Sequence, residues 1–211
     1  PRGTRLAAVS RSDRARDRRR NHAPWLPFLD DIGRYSATPR SIAERHAYLL
    51  QSYSVVIDPF CGAGGDSVAF ALAGFNVLAS DTSRARLTLA RRNAEHFGVA
   101  ERILFSEADA PDAINEGLKN KPDVAVFLDP PWGGKAWDKG MTFGALFRPW
   151  PRIMESVSTS ELVVIKMPRT LDVTTVQNQN RVWNFELGID SQMSEPVDRL
   201  KTITAIGRLR D

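Results

Sequence analysis

Residues 129 to 132 read Asp-Pro-Pro-Trp and follow the apolar run Val124-Ala125-Val126-Phe127-Leu128, with Gly133 and Gly134 directly behind them. An acid, two rigid residues and an indole at the end of a buried run suit a platform on which a flat group lies. The same residue types also build a plain tight turn with a core tryptophan. A second group of residues, "VVIDPFCGAGGDS", ends an apolar run on Asp58 and turns through Gly62, Gly64 and Gly65. Glycines there let the backbone approach a ligand closely. The spacing is not G-x-G-x-x-G, and the acid ahead of the glycines suits a group with a positive charge and hydroxyls rather than a pyrophosphate. Acids recur where later runs end, at Asp81, Asp109 and Asp129. Asp81 lies near where a ribose-binding acid follows the first glycine turn of nucleotide folds, and Asp109 is suited to accept from an adenine amino group. Singly, each acid reads equally well as a helix N-cap. Together, on one rim, four carboxylates would repel one another unless a ligand or hydrogen bonds compensate, and they read as a nucleoside site.

The elements that must position these residues alternate regularly. "SVVID", "FNVLASD", "RILFSEAD", "DVAVFLDPPW" and "ELVVIKMP" read as strands. "GDSVAFALAG" and "SRARLTLARRNAEHFG" read as helices, the second with Leu87, Ala90, Ala94 and Phe97 on one face. A short polar helix is expected at 111–119 and another helix near 143–157, with late strands around 182–190 and 201–207. Apolar strands separated by helices predict an α/β fold, a mostly parallel sheet with helices on both faces. Ahead of it, "TPRSIAERHAYLL" predicts a helix capped by Thr38 with Pro39 in its first turn. "APWLPFLDDIGRYSATP" has no periodicity and reads as an irregular segment draped over the domain.

With 211 residues, 42% of them hydrophobic, one core is expected. The expected division is a basic arm at 1–22, an extension at 23–52 that contributes to the site, and a catalytic domain at 53–211. The arm carries eight arginines within residues 1–20 against Asp13 and Asp17. It reads equally as a solvated tail and as an RNA-phosphate or nuclear-import segment. No apolar run reaches the length of a membrane span. The single cysteine, Cys61, and three scattered histidines, His22, His46 and His96, predict neither a disulfide framework nor a metal site.

The glycine turn and its acids resemble the class I, Rossmann-like S-adenosylmethionine-dependent methyltransferases. That resemblance implies S-adenosylmethionine as cofactor, with Asp58, Phe60 and Gly62 along its methionine part, Asp81 and Thr82 at the ribose, and Asp109 and Ala110 at the adenine. Asp129-Pro-Pro-Trp132 resembles the D/N/S-P-P-aromatic motif of methyltransferases acting on planar amino groups. A ring-conjugated amine is a poor nucleophile because its lone pair is delocalised. Acceptors at its hydrogens, the Asp129 carboxylate and the Pro130 carbonyl, would draw the nitrogen toward a pyramidal form. Trp132 would hold the base plane in a near-attack position.

"YSATPRSIAE", "VVIDPFCGAGGDSVAFALAGFNVLASD", "ARRNAEHFGVAERILF", "FLDPPWGG", "MPRT" and "LKTITA" together resemble the trimethylguanosine synthase family, which methylates guanine N2 of an RNA 7-methylguanosine cap. The resemblance spans about residues 35 to 207. It implies that Trp132 stacks on the methylated guanine, a cation–π contact worth about 0.5 to 2 kcal/mol. It further implies that Asn93, Trp137 and Arg169 line the cap pocket, with Arg169 at phosphate, and that Thr38 closes over the cofactor. Lys135, Lys139 and Lys201 are candidates for further phosphate contacts. The implied partner is capped RNA, the implied catalytic domain monomeric, and the implied location the nucleus. Two departures stand out: Asp129 replaces the family's usual Ser, which leaves one or two methyl additions open, and "FLDDIGRYSATP" is short and offers Arg34 in place of a lysine. Other readings are an enzyme acting on guanine N2 or adenine N6 within RNA or DNA, and a catalytically inactive cap-binding module.

Overall fold

The computed structural model describes residues 25–119, 123–131, 150–168, 183–190 and 202–209. Seven strands form one sheet: β1 Val55–Asp58, β2 Asn76–Asp81, β3 Ile103–Glu107, β4 Val124–Leu128, β5 Leu162–Pro168, β6 Trp183–Asp190 and β7 Thr202–Leu209. Their order is β3-β2-β1-β4-β5-β7-β6. The first five run parallel, and β7 inserts antiparallel between β5 and β6. The helices are α1 Asp31–Ser36, α2 Arg40–Leu49, α3 Gly65–Leu72, α4 Arg84–His96, α5 Ala110–Leu118 and α6 Trp150–Ser156. The parallel part with its crossover helices is the expected arrangement. Chain order reverses between β1 and β4, and ligands of open α/β sheets bind at the carboxyl ends of strands beside such a reversal.

The strands are apolar throughout because both faces are covered. Along β4, Val124, Val126 and Leu128 join a core with Ile114 of α5 and Trp150 and Ile153 of α6. Ala125 and Phe127 face the opposite core with Phe70 of α3 and Leu87, Ala90 and Ala94 of α4. Successive side chains thus alternate between two cores. Phe127 is fully buried, contributing about 1.5–3 kcal/mol, and its ring lies 5.1 Å from Phe70 and 4.9 Å from His46.

Two local expectations are corrected. The aperiodic stretch before Thr38 is not irregular throughout: Asp30 accepts from the Gly33 amide and starts the six-residue helix α1. A helix so short leaves no periodic apolar stripe to read. Thr38 does not cap α2. Pro39 occupies that position without a side-chain cap, because the Thr38 hydroxyl is turned inward to a buried carboxylate, Asp66 Oδ2, at 2.5 Å. The arm at 1–22 lies outside the described residues, as does 143–149 of the helix expected near 143–157. Among the described residues, no helix is long and apolar enough to cross a membrane.

One side chain makes three of the hydrogen bonds that fasten the extension. Asn93, fully buried on α4, donates to the Phe28 and Ala63 carbonyls, both at 2.8 Å, and accepts from the Phe28 amide at 3.1 Å. Arg92 lies over the Phe28 ring at 3.9 Å, and Trp25 Nε1 donates to the Thr38 carbonyl. In the fold the Asn93 amide clasps the extension to the glycine turn. Asn93→Ala strands three backbone partners and is expected to destabilise the chain by about 2–4 kcal/mol, read as a lower denaturation midpoint. A change below about 0.5 kcal/mol would contradict the clasp.

Candidate active site

The four acids singled out in the sequence stand at or just beyond the carboxyl ends of β1 to β4, and the structure gives each a different environment. Asp81, ending β2, accepts from the Ser83 amide through Oδ1 at 2.8 Å and from the Gly62 amide through Oδ2 at 3.1 Å. It thereby ties the glycine turn to the neighbouring strand. Gly62 has φ +53°, and a Cβ built on it meets nothing within 4 Å. The left-handed backbone there demands glycine, and its open side faces free space. Gly64, at φ +85°, serves packing instead: its Cβ would stand 3.0 Å from that of Ala90.

Asp58, ending β1, is 1% exposed. Its Oδ2 accepts from the Ser67 hydroxyl at 2.5 Å. Among the described residues its Oδ1 has no close hydrogen-bond partner, although the Phe60 backbone amide lies near enough to the carboxyl to favour its charged form. Burial pushes this carboxyl up to about 8. The Ser67 hydroxyl opposes that shift, while the nearby Asp66 and Asp129 charges add to it. Asp109 accepts from the Asp112 amide through Oδ1 at 3.0 Å and caps α5, the alternative that its position also allowed. Ala110 is buried in the first turn behind it, Phe60 is half-buried against the core, and Thr82 is exposed just past β2. Cys61 is buried inside the turn as a small filler.

Beyond β4, Asp129 is half-buried and Pro130 buried. The Lys166 ammonium on β5 donates to Asp129 Oδ2 at 2.6 Å and to Thr38 Oγ1 at 2.8 Å. Thr38 in turn donates to Asp66 Oδ2, whose other oxygen faces His46 Nδ1 at 3.0 Å, and His46 Nε2 meets the Thr204 hydroxyl at 3.2 Å. A hydrogen-bonded chain thus runs from β7 through α2, α3 and β5 to the acid after β4. Burial pushes Asp66 up, but His46, Lys166 and Thr38 outweigh it and hold its carboxyl below the ordinary value. Burial raises Asp129 despite the neighbouring ammonium. Burial lowers Lys166, but the carboxylates of Asp129 and Asp66 more than reverse it.

Sequence reasoning missed Lys166, Asp66 and His46. The available signal was a charged residue on each buried face: a lysine inside an otherwise apolar strand, an acid in the first turn of a hydrophobic helix, and a histidine on an apolar stripe. Trp132, Trp137, Arg169, Lys135, Lys139 and Lys201 lie outside the described residues. Among the described residues, no group of three or more His, Cys, Asp or Glu side chains is arranged to hold a metal.

The site suits a cofactor with a cationic head and a nucleoside tail. The buried Asp58 carboxyl has acceptor capacity left for a donor, the open side of Gly62 leaves room, and Asp81 is held by two backbone amides at the adjacent strand end.

A family model described as RNA cap guanine-N2 methyltransferase matches residues 53–187. The chain is 25% identical over 164 residues to trimethylguanosine synthase of Saccharomyces cerevisiae, covering 73% of this chain and 52% of that protein. It is 28% identical over 122 residues to tRNA (guanine(10)-N2)-dimethyltransferase of Methanothermobacter thermautotrophicus, covering 57% of this chain and 35% of that one. It thus spans about half or less of the length of these curated relatives. In fold it is similar to an O-methyltransferase from Bacillus cereus in complex with SAH, with a TM-score of 0.58 at 11% identity, over 82% of this chain and 83% of that one.

Proposed function

The chain belongs to the RNA cap guanine-N2 methyltransferase family, and from that premise we propose that it methylates guanine N2 on the 7-methylguanosine cap of RNA. The observation that carries the reading is Asp129: an acceptor carboxylate held by a buried ammonium at 2.6 Å, just past the end of the strand beside the candidate cofactor cradle.

S-adenosylmethionine, implied by the family and the fold, supplies an electrophilic methyl group when bound. Asp58 would hold its ammonium, Gly62 would leave room for its methionine part, and Asp81 and Thr82 would take the ribose hydroxyls. Asp109 keeps acceptor capacity beyond its capping bond for the adenine side, with Ala110 and Phe60 as apolar walls. On the acceptor side, Asp129 and the Pro130 carbonyl would accept from the guanine amino hydrogens. That draws the nitrogen lone pair out of conjugation and stabilises the positive charge that grows on nitrogen as the bond forms. An ionised carboxylate accepts up to about four hydrogen bonds, so the Lys166 contact does not exhaust it. Proton loss follows methylation and needs no strong base. Trp132 would stack on the N7-methylated ring, and Trp137 and Arg169 would complete the cap pocket. Nuclear capped RNA as the carrier belongs to the same proposal.

Two outcomes test these assignments. Trp132→Ala is expected to weaken binding of 7-methyl-GTP about tenfold and to erase most of its preference over GTP, measured by calorimetry; unchanged preference would refute the stacking role. The second concerns protons. Asp58 carries its proton below about 8, and a bound ammonium requires the carboxylate. At pH 7, cofactor binding is therefore expected to release about one proton and to tighten as pH rises toward about 8. Asp66 of α3 and Asp129 past β4 share its surroundings among the described residues. Equal binding heats in buffers of different ionisation enthalpy would contradict it. Without ligand the sign is fixed as well. Asp58 is raised from an ordinary value of 3.8 to about 8, so the unfolded chain loses this proton first and Asp58's contribution to stability declines as pH rises across that window.

The similarity to a tRNA (guanine(10)-N2)-dimethyltransferase favours a second reading, guanine N2 inside an RNA chain, with the same acceptor chemistry and no need of N7 methylation.

A further inference from the structure

Lys166 is the one charged residue among Leu162, Val163, Val164, Ile165 and Met167, all of them buried. Val163, Ile165 and Met167 face the core under α5 and α6. Lys166 falls on the alternate face with Leu162 and Val164, toward Thr38 and Asp66. Its side chain is 7% exposed and that of Asp129 21%. Burying an ammonium in such a strand is costly unless it is paired, and a methionine of similar volume would be the more stabilising filler. Local rules are broken in this way chiefly where function requires it.

The cluster already contains partners for Asp66. His46 Nδ1 and the Thr38 hydroxyl each meet one of its oxygens, whereas the hydrogen bond of Lys166 on this side goes to Thr38 and Asp66 acts on it by charge. Its shortest contact goes to Asp129. Thr38, fixed by Asp66, also fixes the direction of the lysine head. Asp129, by contrast, leaves the sheet on a turn whose next residues are prolines and needs an external restraint to hold its carboxylate plane.

We infer that Lys166 is a positioning residue for the acceptor acid: from β5 it grips Asp129 Oδ2, sets the plane of the carboxylate and keeps it ionised where the amine must be received. This deepens the reading of Asp129 as the amine's acceptor and rests on it. The lysine acts through Asp129, its contacts being to Thr38 and Asp129. Asp129 is faced, among the described residues, by Lys166 of β5, Asp66 of α3, His46 of α2 and Asp58 of β1. Of these, Lys166 is the cation in direct contact.

The test compares Lys166→Met, Asp129→Ser and the double variant on an N7-methylated cap dinucleotide across pH. Lys166→Met is expected to lower kcat at pH 7 about tenfold, to leave cofactor affinity unchanged, and to move the acidic limb of the rate profile upward by about one to three pH units. Adding Lys166→Met to Asp129→Ser should cost almost nothing further, because the group it positions is gone. Equal fold-losses in both backgrounds, or an unshifted pH profile, would overturn the proposal. Should Lys166→Met not fold, a double variant as stable as Asp129→Ser supports the pairing, and a double variant that also fails to fold overturns it. Carboxyl carbon-13 NMR of Asp129 separates this proposal from the choice of substrate. If the wild-type chain leaves every cap untouched, a titration midpoint that rises in Lys166→Met still supports the grip, and an unmoved midpoint overturns it.

Discussion

Asp129→Ala is expected to lower kcat about 100- to 1,000-fold, the usual effect of removing one preorganised group aimed at developing charge, while cofactor affinity stays within about threefold. On the proposed mechanism the carboxylate would do two things that alanine cannot: accept from the amine's hydrogens and face the positive charge that grows on nitrogen. The protein should survive the change. Breaking a buried ion pair typically costs about 3–5 kcal/mol, but Lys166 keeps its bond to Thr38 and the nearby Asp66 charge, so the loss should be smaller. Stopped-flow or quench kinetics under saturating cofactor would measure it. A variant retaining a third or more of the wild-type rate would remove Asp129 from the chemistry.

Asp81→Ala is expected to have the second large effect, on cofactor affinity. Its carboxylate is held by the Gly62 and Ser83 amides and braces the turn, and in the proposed function it would also be the ribose acceptor. Hydrogen bonds to a charged group are worth about 1.5–3 kcal/mol each, and losing the ribose pair alone predicts a rise in Kd of about 100-fold or more. At saturating cofactor, kcat should change by less than about threefold, the signature of binding lost equally in ground and transition states. Asp81→Asn, which keeps one acceptor oxygen, should fall between. An unchanged Kd would place the ribose elsewhere.

Much of this arrangement was legible in the residues. The parallel strands announced themselves as apolar runs, and the acids at their ends marked the rim because a carboxylate closing a buried run must face an opening or a partner. Less legible was which partner each acid takes. Asp109 was equally a cap or a ligand group in the sequence, and the structure shows the cap made, with acceptor capacity remaining. Asn93 offered an amide without saying for whom; its donors went to Phe28 and Ala63, which lie 65 and 30 positions away. The helix α1 was hidden because six residues carry no period. Lys166, His46 and Asp66 escaped for the opposite reason: each sits where periodicity predicts an apolar side chain. Only the packing of α2 and α3 over β4, β5 and β7 reveals that their charges meet.

That meeting changes how the departure at Asp129 reads. A carboxylate beside a cationic base is a stronger acceptor than a hydroxyl, yet in a half-buried position it needs help to remain charged. The lysine supplies that help from the neighbouring strand, so the two residues form one device.

The most direct test of the central claim is mass spectrometry of cap dinucleotides incubated with the protein and S-adenosylmethionine, with guanine N7 either methylated or bare. The account predicts a gain of one or two methyl masses on the N7-methylated cap alone, located at N2 by fragmentation. Methylation of both caps, or of neither while the cofactor still binds, would contradict it and turn attention to guanine inside an RNA chain.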